Sequence, residues 1–458
     1  AVEHDCHIVV TVTVRREQPT ATVTNCWFDP SGSLVATADK QVLMGGEREY
    51  LSTGNEVGPV IDSRFGRVAM YSCMEGVVPE TPRSLALGGA RLLTNSLNSF
   101  ALDEASLHIP VRAAENGVFV VAANKVGPLI PKDRVGEYAS AMGLPEEAFH
   151  GAGESQVVAP DGTVLAKGPL RGEAVVVADI DLTATADRSA VGGTDRIADR
   201  RPEAYGPLGA EGTEAVVGSD TPIGVTALSS EGDQAVAETR SAAQNGATLV
   251  VLPELAADIG ALRAALAGTR TVAVTTIRDG RIHRSVVVSA DGVVAGSAAM
   301  HHSARHPWAT ELEDEVLTVD LPWGRLAVVA GDDVIFPESF RLAAVAGAAV
   351  VAVPTHLEDR WLVDLGIAER SGESRLNLVV GTRQGVGGPV VAALPPDFTL
   401  WMPSREREYD GTINTPDIHA ASDGIASAEV VPARAANKNV SRGTDLVGGR
   451  PMAAARAL

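Results

Sequence analysis

One cysteine, Cys73, lies where a thiol could act as a nucleophile. It follows a predicted strand at residues 67–72 and precedes a predicted helix at residues 79–90. A side chain at such a strand–turn–helix bend is exposed, as in a nucleophile elbow. The positive end of the helix is expected to lower the thiol pKa from about 8.5 toward neutrality. The backbone N–H of Met74 is expected to bind a developing oxyanion at the same bend.

The chain contains an internal repeat, and only the first copy keeps this cysteine. Residues 66–125 align without a gap with residues 324–383, and Cys73 falls opposite Gly331. A repeat of this length indicates two similar domains in tandem. A thiol kept in one copy and lost in the other predicts one working site and one retired site. The identical pairs include Gly66 and Gly324, Pro79 and Pro337, Glu80 and Glu338, Arg83 and Arg341, Arg112 and Arg370, and Glu115 and Glu373.

The elements around these residues are those of an α/β protein. Short β-branched runs alternate with Ala- and Leu-rich stretches of helical length. In the first copy we predict strands at 7–14, 23–28, 67–72, 92–94, 118–124 and 174–179, and helices at 79–90 and 105–116. The run 118–124 is fully apolar, which indicates a central strand. The second copy opens with a strand at 223–227, a helix at 233–245 and a strand at 248–252.

Four parts are predicted along the chain. These are a catalytic domain at 1–182, a linker at 183–220 rich in Asp, Arg, Gly and Pro, a degenerate domain at 221–398, and a polar tail at 399–458. The second copy has about 50 residues before its strand at 272–277, but the first copy has six before the corresponding strand at 7–14. The first copy therefore lacks an opening strand–helix–strand.

Several ordered motifs resemble the nitrilase, or carbon–nitrogen hydrolase, superfamily. Residues 71–80, around Cys73, are similar to its cysteine motif, and the stretch from Asn25 through 29–32 to Lys40 is similar to its lysine motif. Glu47 stands where the second glutamate of the family usually does. Residues 112–124, 153–155 and 160–162 also match. The resemblance covers nearly all of residues 7–182 and, more weakly, residues 221–398.

The resemblance implies a four-layer α-β-β-α sandwich with a Glu–Lys–Cys triad. By position, Cys73 is the nucleophile that attacks a carbonyl or nitrile carbon. Lys40 places a positive charge beside the tetrahedral intermediate, and Glu47 positions the substrate or orients Lys40. Met74 and Asn98 are assigned to the oxyanion and the substrate. Because family members commonly pair two sandwiches, the tandem copies are expected to form an internal pseudo-dimer.

The general base implied by the resemblance is a glutamate in a Leu-Pro-Glu-like motif at a strand end. No segment of residues 1–182 supplies it, since Glu146 follows a helix-like stretch and Glu80 already has its place in the cysteine motif. Two explanations stay open. The sequence lacks an N-terminal piece, which we favour because a sandwich without two strands exposes a long apolar edge, or this copy is an incomplete enzyme.

The second copy carries the base motif without the rest of the triad. Glu254 ends a Leu-Pro-Glu stretch, whereas the lysine position falls on Met300 and the cysteine position on Gly331. We therefore predict a structural role for this copy. His302 and His306 are four residues apart, a spacing that suits a metal only on a helix. The neighbouring proline disfavours a helix, so no metal site is predicted.

Composition narrows the class of protein. A net charge of −20 over 458 residues argues against nucleic acid or an anionic membrane as a partner. Hydrophobic content of 45% and charged content of 21% are ordinary for a soluble protein. Three cysteines without a CxxC indicate a reducing compartment. The longest apolar run is far shorter than the roughly 20 residues a membrane span needs. With no signal-peptide pattern either, we predict a cytoplasmic protein.

The sequence thus predicts a cysteine-dependent hydrolase of a non-peptide carbon–nitrogen bond that forms a thioester and needs no cofactor. An amide or carbamoyl substrate is favoured over a nitrile, because Met74 stands where nitrilases usually have tryptophan. The expected partner is a small-molecule substrate, with a homo-oligomer open. The alternatives are an inactive scaffold or small-molecule-binding protein, or acyl transfer to an amine, which the lack of membrane spans disfavours. The sequence does not identify the substrate.

Overall fold

The computed structural model describes residues 1–17, 20–185, 187–396, 399–400 and 408–458. Residues 401–407, within the predicted tail, and residues 397–398, at the predicted domain end, lie outside this description. The strands, in chain order, are β1 (Ile8–Arg15), β2 (Ala21–Phe28), β3 (Leu34–Asp39), β4 (Ile61–Ser63), β5 (Gly66–Ser72), β6 (Leu92–Leu97), β7 (Phe119–Asn124), β8 (Val126–Pro128), β9 (His150–Ala152), β10 (Gln156–Val158), β11 (Val164–Lys167), β12 (Ile223–Leu228), β13 (Leu249–Val251), β14 (Val272–Asp279), β15 (Ile282–Ser289), β16 (Gly292–Ala298), β17 (Leu317–Leu321), β18 (Gly324–Val328), β19 (Val350–Thr355), β20 (Asn377–Thr382), β21 (Val390–Ala393), β22 (Asp417–Ala420), β23 (Ile425–Val430), β24 (Asn439–Ser441) and β25 (Thr444–Asp445).

The α-helices of the described residues are short. They are α1 (Glu80–Leu87), α2 (Ile109–Asn116), α3 (Val135–Met142), α4 (Gly206–Gly209), α5 (Gly232–Gln244), α6 (Ile259–Ala265), α7 (Pro337–Val345), α8 (Ile367–Ser374) and α9 (Met452–Ala455). A π-helical turn precedes α2 at Glu104–His108, and another precedes α8 at Leu362–Gly366, so the repeat extends to an uncommon backbone form. In the described part of the chain, no helix has the length and apolar character to cross a membrane.

The chain divides into two compact units. Unit 1 comprises Ala1–Arg188, Asp397–Asn414 and Asn439–Leu458, and unit 2 comprises Ser189–Pro396 and Thr415–Lys438. These bounds differ from the predicted ones, because residues 189–220 pack within unit 2 and do not form a free linker. The end of the predicted tail likewise packs within unit 1.

Unit 2 is a complete α/β sandwich. One six-stranded sheet has the order β16-β15-β14-β13-β12-β23, and the other has the order β17-β18-β19-β20-β21-β22. The main core lies between the two sheets, where Val225, Val251 and Val274 of the first sheet cluster with Val350 and Val379 of the second. Helices α5 and α6 cover the outer face of the first sheet. Helix α8 packs on β20 and β21 of the second sheet. Unit 2 therefore has the predicted four layers.

Unit 1 repeats only part of this plan. It has one large sheet of six strands, β11-β10-β7-β6-β5-β4, and, in the part of the chain that the structure describes, one small sheet of three strands, β1-β2-β3. Trp27 and Ala38 of the small sheet pack on Met70 and Phe119 of the large one, which forms the inter-sheet core. Helices α1 and α2 cover the other face of the large sheet. The described residues of unit 1 therefore form an α-β-β arrangement, in which no helical layer covers the outer face of the small sheet.

The small sheet of unit 1 corresponds to strands β14, β15 and β16 of unit 2, where the sheet continues beyond β14. In unit 2, β14 pairs with the parallel strand β13, β13 pairs with β12, and β12 pairs with the antiparallel strand β23. In unit 1, β1 pairs only with β2 among the described residues, and Val10 and Val12 on β1 are 39% and 45% exposed. The predicted strand at 174–179 forms no strand, and Val175 in it is 90% exposed. In unit 2, β23 pairs with β12, whereas residues 174–179 have no corresponding strand to pair with among the described residues of unit 1.

A second, shorter repeat was not predicted from the sequence. Residues 193–195 and 443–445 both read Gly-Thr-Asp, and each triplet follows one copy of the repeat. Thr194 belongs to unit 2, where its hydroxyl bonds Asp332 Oδ2 at 2.6 Å. Thr444 belongs to unit 1, where its hydroxyl accepts from the backbone N–H of Gly45 at 3.0 Å. The segment that follows each copy is therefore built into the unit formed by the other copy.

The charged pairs shared by the two copies are buried structural links. In unit 1, Arg112 donates to the carbonyl of Gly76 at 2.8 Å and to Glu115 Oε1 at 2.5 Å, and both side chains are fully buried. Arg83 also donates to the carbonyl of Glu115 at 3.0 Å. Unit 2 has the same arrangement, since Arg370 pairs with Glu373. The Arg112–Glu115 pair thus anchors the turn that follows Cys73 to helix α2.

Replacing Arg112 with methionine is expected to lower the free energy of unfolding by about 3–5 kcal/mol, because it removes the cation of a fully buried ion pair and leaves the charge of Glu115 uncompensated by that cation. Chemical denaturation of the purified variant measures this change. The control is Arg134→Met, which breaks an Arg134–Glu137 pair of the same i,i+3 spacing whose side chains are 47% and 65% exposed. This control should change stability little. A loss from Arg112→Met no larger than that of the control would contradict the structural role.

Candidate active site

Cys73 lies at a sharp bend between strand β5 and helix α1. Strand β5 ends at Ser72, a 3-10 turn spans Cys73–Gly76, and α1 begins at Glu80. Cys73 has a φ of 50°, in the left-handed region that non-glycine residues rarely adopt. The residue as a whole is part-exposed and lies immediately after the last residue of strand β5. The strand–turn–helix prediction around Cys73 is confirmed.

Buried polar groups hold this bend. The backbone N–H of Cys73 donates to Asn95 Oδ1 at 2.8 Å. The Glu75 carboxylate accepts from the backbone N–H of Ser72 at 2.8 Å and from that of Gln41 at 3.0 Å. Gln41 directly follows Lys40, so Glu75 links the lysine segment to the cysteine bend. Burial is the main effect on Glu75 and raises its pKa.

Lys40 lies just beyond strand β3 and is 2% exposed. Its Nζ is 3.0 Å from Glu47 Oε1 and 2.7 Å from Glu47 Oε2. Glu47 also accepts from the backbone N–H of Met44 at 2.8 Å, which fixes the carboxylate. Burial disfavours the charged form of Lys40, but interaction with Cys73, Glu47 and Glu75 outweighs it and raises the Lys40 pKa. The structure therefore places a persistent ammonium group in the electrostatic environment of Cys73, oriented by Glu47.

The predicted lowering of the Cys73 pKa is wrong. Burial raises the pKa of this thiol to about 11, and the charges of Glu104 and Glu47 add to the rise. Lys40 opposes this change and lowers the pKa, as does a hydrogen bond from the backbone N–H of Asn98. The prediction considered the effect of the helix N-terminus on the thiol pKa. It did not include the desolvation of the thiol or the charges of the nearby carboxylates. Cys73 is therefore a thiol at neutral pH and needs a base to take its proton.

The structure also locates the two residues assigned to the oxyanion and substrate. Met74 is buried and occupies the first turn of the 3-10 helix, where N–H groups have no partner within the helix. Asn98 follows strand β6, and its backbone approaches the Cys73 sulfur while its side chain is exposed. Glu104, a buried carboxylate at the start of a π-helical turn, was not predicted from the sequence. No motif pointed to it.

The rate of Cys73 alkylation is expected to rise steadily with pH. Because the thiol pKa is about 11, the reactive thiolate fraction should rise about tenfold per pH unit between pH 7 and 10. Iodoacetamide labelling, with peptide mass spectrometry resolving Cys6, Cys26 and Cys73, measures this rate. In a Lys40→Met variant, the Cys73 rate should fall further, since Lys40 lowers the thiol pKa. A plateau in the Cys73 rate below pH 8 would show a low pKa and contradict the structure.

Unit 2 keeps the backbone of this site but not its nucleophile. Gly331 follows strand β18 and has a φ of 56°, as Cys73 does after β5. A Cβ at Gly331 would lie 3.1 Å from Glu254 Oε2 and 3.0 Å from His283 Cε1, so a side chain here would crowd both groups. Asp333 accepts from the backbone N–H groups of Met300 and His301 at 3.0 and 2.9 Å. It thus takes the part that Glu75 plays in unit 1.

The corresponding site of unit 2 contains a cation, Arg305, that the sequence motifs did not predict. Arg305 pairs with both Glu254 and Asp332, while Met300, at the former lysine position, is buried. Burial alone would raise the pKa of Glu254, but a hydrogen bond with His306 and the charge of Arg305 lower it to about 2. Burial lowers the pKa of His283 to about 4. Glu254 is thus an ionised carboxylate locked in a salt bridge.

Comparison with known proteins shows what the first part of the chain is similar to. Residues 1–188 match the family model of the carbon-nitrogen hydrolases. It is 31% identical over 159 residues to a nitrilase of Pyrococcus abyssi, which covers 35% of this chain and 54% of that protein. It is 26% identical over 167 residues to the N-carbamoylputrescine amidase of Arabidopsis thaliana, which covers 35% and 52%.

The chain spans about half the length of these curated relatives. Among solved structures, it is similar to a variant of the amidase from Nesterenkonia sp. AN1 that carries the acetamide moiety of fluoroacetamide on its active-site cysteine. The identity is 22%, the TM-score is 0.36, and the match covers 44% of this chain and 68% of that one.

Proposed function

We propose that this protein is a cysteine-dependent hydrolase of non-peptide carbon–nitrogen bonds that works through a thioester. The observation that carries the proposal is the buried Lys40, paired with the part-exposed Glu47 and acting on Cys73, which is itself held in a left-handed bend. Lys40 Nζ lies 2.7 Å from Glu47 Oε2, and Cys73 and Lys40 shift each other's pKa. A fixed ammonium group beside a strained, part-exposed thiol suits attack on a carbonyl and stabilisation of the resulting oxyanion.

The reaction has two halves. The Cys73 sulfur attacks the carbonyl carbon, a C–S bond forms, and the carbonyl π electrons move to oxygen. Lys40 and the Met74 N–H stabilise this oxyanion. The base that takes the thiol proton gives it to the leaving nitrogen, the C–N bond breaks, and ammonia or an amine departs. Water then attacks the thioester, which releases the acid and restores the thiol.

The described part of unit 1 does not supply the general base at the end of a strand. In unit 2, Glu254 follows strand β13, which pairs with β14. Among the described residues of unit 1, no strand pairs with the corresponding edge of β1, and Val10 and Val12 on it are exposed. A strand–helix–strand segment that pairs with this edge would bring a strand-end glutamate to the level of Cys73. We therefore propose that residues 1–182 form a catalytic domain completed by such a segment.

The proposed substrates are amides or carbamoyl compounds, more than nitriles. Met74 follows the nucleophile, and no tryptophan stands there to line the pocket. One similar protein is called an N-carbamoylputrescine amidase and another a nitrilase, which supports the broader class of substrates. The proposed compartment is the cytoplasm, since all three cysteines are free. A homo-oligomer is compatible with this proposal.

A designed segment tests the proposal within the chain's own architecture. A copy of residues 221–265, which spans β12 to α6 and includes Glu254, is joined ahead of residue 1; we call this copy the added module. Ammonia release from short amides, carbamoyl compounds and nitriles is then measured. The chain with the added module should hydrolyse amides or carbamoyl compounds about 10²- to 10⁴-fold faster than the unmodified chain, the usual contribution of a general base.

The matched control carries Glu254→Gln in the added module only, and it should lose this gain. Ammonia release by a Glu104→Gln variant of the unmodified chain tests whether the buried Glu104 acts as the general base instead. If the added module folds, as circular dichroism and thermal melting report, and raises no activity on any substrate, the hydrolase proposal is contradicted.

An inactive, small-molecule-binding protein is the second candidate. The raised pKa of Cys73, to about 11, is the observation that favours it, since an unassisted thiol of this kind is a poor nucleophile. Amide binding with unchanged affinity in Cys73→Ser, together with no ammonia release in the presence of the added module, would support this candidate over the hydrolase.

A further inference from the structure

We infer that the retired site of unit 2 binds one divalent transition-metal ion through Glu254, His283 and His306. In the described part of the chain, each of these residues offers one ligand atom, and the three atoms lie within 4.8 Å of one another. Glu254 is fully buried, and the two histidines are 2% and 9% exposed. A buried carboxylate and two buried imidazoles that converge on one point are a ligand set, whereas isolated core histidines are not.

The two oxygens of Glu254 face different partners. Arg305 and Arg383 both approach Oε1, the latter at 3.5 Å. His306 Nε2 lies 3.2 Å from Oε2, and His283 Nε2 lies 3.9 Å from it. The guanidinium groups therefore stabilise the carboxylate from one side. The other oxygen is left to the imidazoles and to a shared ion.

The spacing fits a small ion with little movement. Zinc binds histidine nitrogen and carboxylate oxygen at about 2.0–2.2 Å, so neighbouring ligand atoms in a tetrahedral shell are about 3.3 Å apart. The distance of 3.2 Å between Glu254 Oε2 and His306 Nε2 already matches this value. The imidazoles of His283 and His306 are edge to face, with ring centroids 4.6 Å apart, so both rings can turn an edge toward one ion.

A neighbouring hydroxyl orients His283. Thr276 Oγ1 lies 2.6 Å from His283 Nε2 and also accepts from the backbone N–H of Leu255 at 3.0 Å. Because this hydroxyl engages Nε2, Nδ1 is the ring nitrogen of His283 that is left to bind the ion. Histidine ligands in metal sites commonly have such a second hydrogen bond. Trp308 packs against both rings, at centroid distances of 5.7 and 5.5 Å, and limits their motion.

Gly331 borders the ligand atoms without adding a side chain. The point where a Cβ would stand at Gly331 is 3.1 Å from Glu254 Oε2 and 3.3 Å from His283 Nδ1. A side chain at this position would crowd both ligand atoms, so glycine leaves them accessible to an ion.

The ligand set selects the class of metal. Two imidazoles and one carboxylate suit Zn²⁺, Co²⁺ or Ni²⁺, whereas Mg²⁺ and Ca²⁺ prefer oxygen ligands. This set differs from the pair of histidines noted in the sequence, because His302 is exposed and the structure joins His306 to His283 instead. Strand β15 supplies His283, far from His306 in the sequence, so only the fold brings them together.

Zinc titration of the full, untagged chain tests the inference. After dialysis against a chelator, isothermal titration with ZnCl₂ should show one site per chain with a Kd in the micromolar range or tighter. Binding should weaken at least tenfold in His283→Asn and in His306→Gln. The control variant His302→Asn changes an exposed histidine four residues from His306 and should bind as the unmodified chain does. Binding should also persist in Cys73→Ser, which excludes the thiol of unit 1.

Cobalt gives an independent readout of the ligand geometry. Co²⁺ in the unmodified chain should show the strong visible absorption of a four- or five-coordinate ion, and both histidine variants should lose it while their circular dichroism is unchanged. Absence of zinc binding to the unmodified chain would overturn the inference. Equal binding to the unmodified chain and to both histidine variants would overturn it as well. None of these results depends on Cys73 chemistry, so they are separable from the proposed hydrolase activity.

Discussion

Replacing Cys73 with alanine is expected to abolish hydrolysis and thioester formation in the chain that carries the added module. The substitution removes the atom that forms the covalent bond, while the bend, Lys40 and Glu47 stay in place. The loss should be on the order of 10³-fold or more in kcat, as expected when a covalent nucleophile is removed. Steady-state ammonia release and intact mass of the quenched enzyme measure the two effects.

The control for this prediction is Cys6→Ala. Cys6 is also part-exposed but lies before strand β1, away from the Cys73 bend in sequence. It should keep full activity. Because Cys73 has a φ of 50°, a Cys73→Gly variant would relieve backbone strain and should also be inactive but at least as stable as Cys73→Ala. Activity retained in Cys73→Ala would assign the nucleophile to another residue.

Replacing Lys40 with methionine is expected to lower kcat by about 10²- to 10³-fold, with a smaller change in KM. Methionine is the residue that unit 2 has at the corresponding position, Met300, and it is similar in length to lysine but uncharged. The variant removes the charge that stabilises the oxyanion, an effect that falls mainly on the transition state. It also removes the group that lowers the Cys73 pKa. Steady-state kinetics with the added module measures the change.

A surface lysine of the same unit provides the matched control. Lys167 forms a 2.7 Å salt bridge with Glu154, but its side chain is 44% exposed. Lys167→Met should leave kcat and KM unchanged. Thermal melting separates lost catalysis from lost folding, since Lys40 is buried and its removal takes away the cation that pairs with Glu47. A Lys40→Met enzyme that folds and keeps kcat within twofold would contradict the assigned role of Lys40.

The bend at Cys73 could be predicted from the sequence because its determinants are local. A β-branched and apolar run predicts strand β5, and Pro79 predicts the start of a helix one turn later. The pKa of the thiol could not be predicted in this way. It depends on burial by residues distant in sequence and on Glu104, which the strand–turn–helix pattern does not include.

The predicted strand at 174–179 shows why neighbours decide a strand. Its alternating valines have strand propensity, but the pairing partner that β12 gives to β23 has no counterpart in the described part of unit 1. Val175 and Val177 are consequently 90% and 75% exposed. Propensity predicts where a strand can form, and the ladder partner determines whether it does.

For the site of unit 2, the sequence predicted which catalytic residues are missing but not which new residues contact Glu254. Alignment of the copies predicted Met300 and Gly331 as lost functional positions, and the resemblance to the nitrilase superfamily predicted Glu254 as the kept base. Arg305 and His283 escaped detection, because neither aligns with a functional residue of the first copy. Their effect arises only where separate strands and loops converge on Glu254.

Intact-mass spectrometry of the enzyme quenched during turnover of an amide tests the central claim most directly. The chain with the added module should carry one acyl group, with the mass of the substrate less its nitrogen leaving group, and peptide mapping should place that group on the Cys73 sulfur. Hydroxylamine should remove it, as it cleaves a thioester. Turnover of the amide with no adduct at any quench time, or an adduct that persists in Cys73→Ala, would contradict covalent catalysis by this thiol.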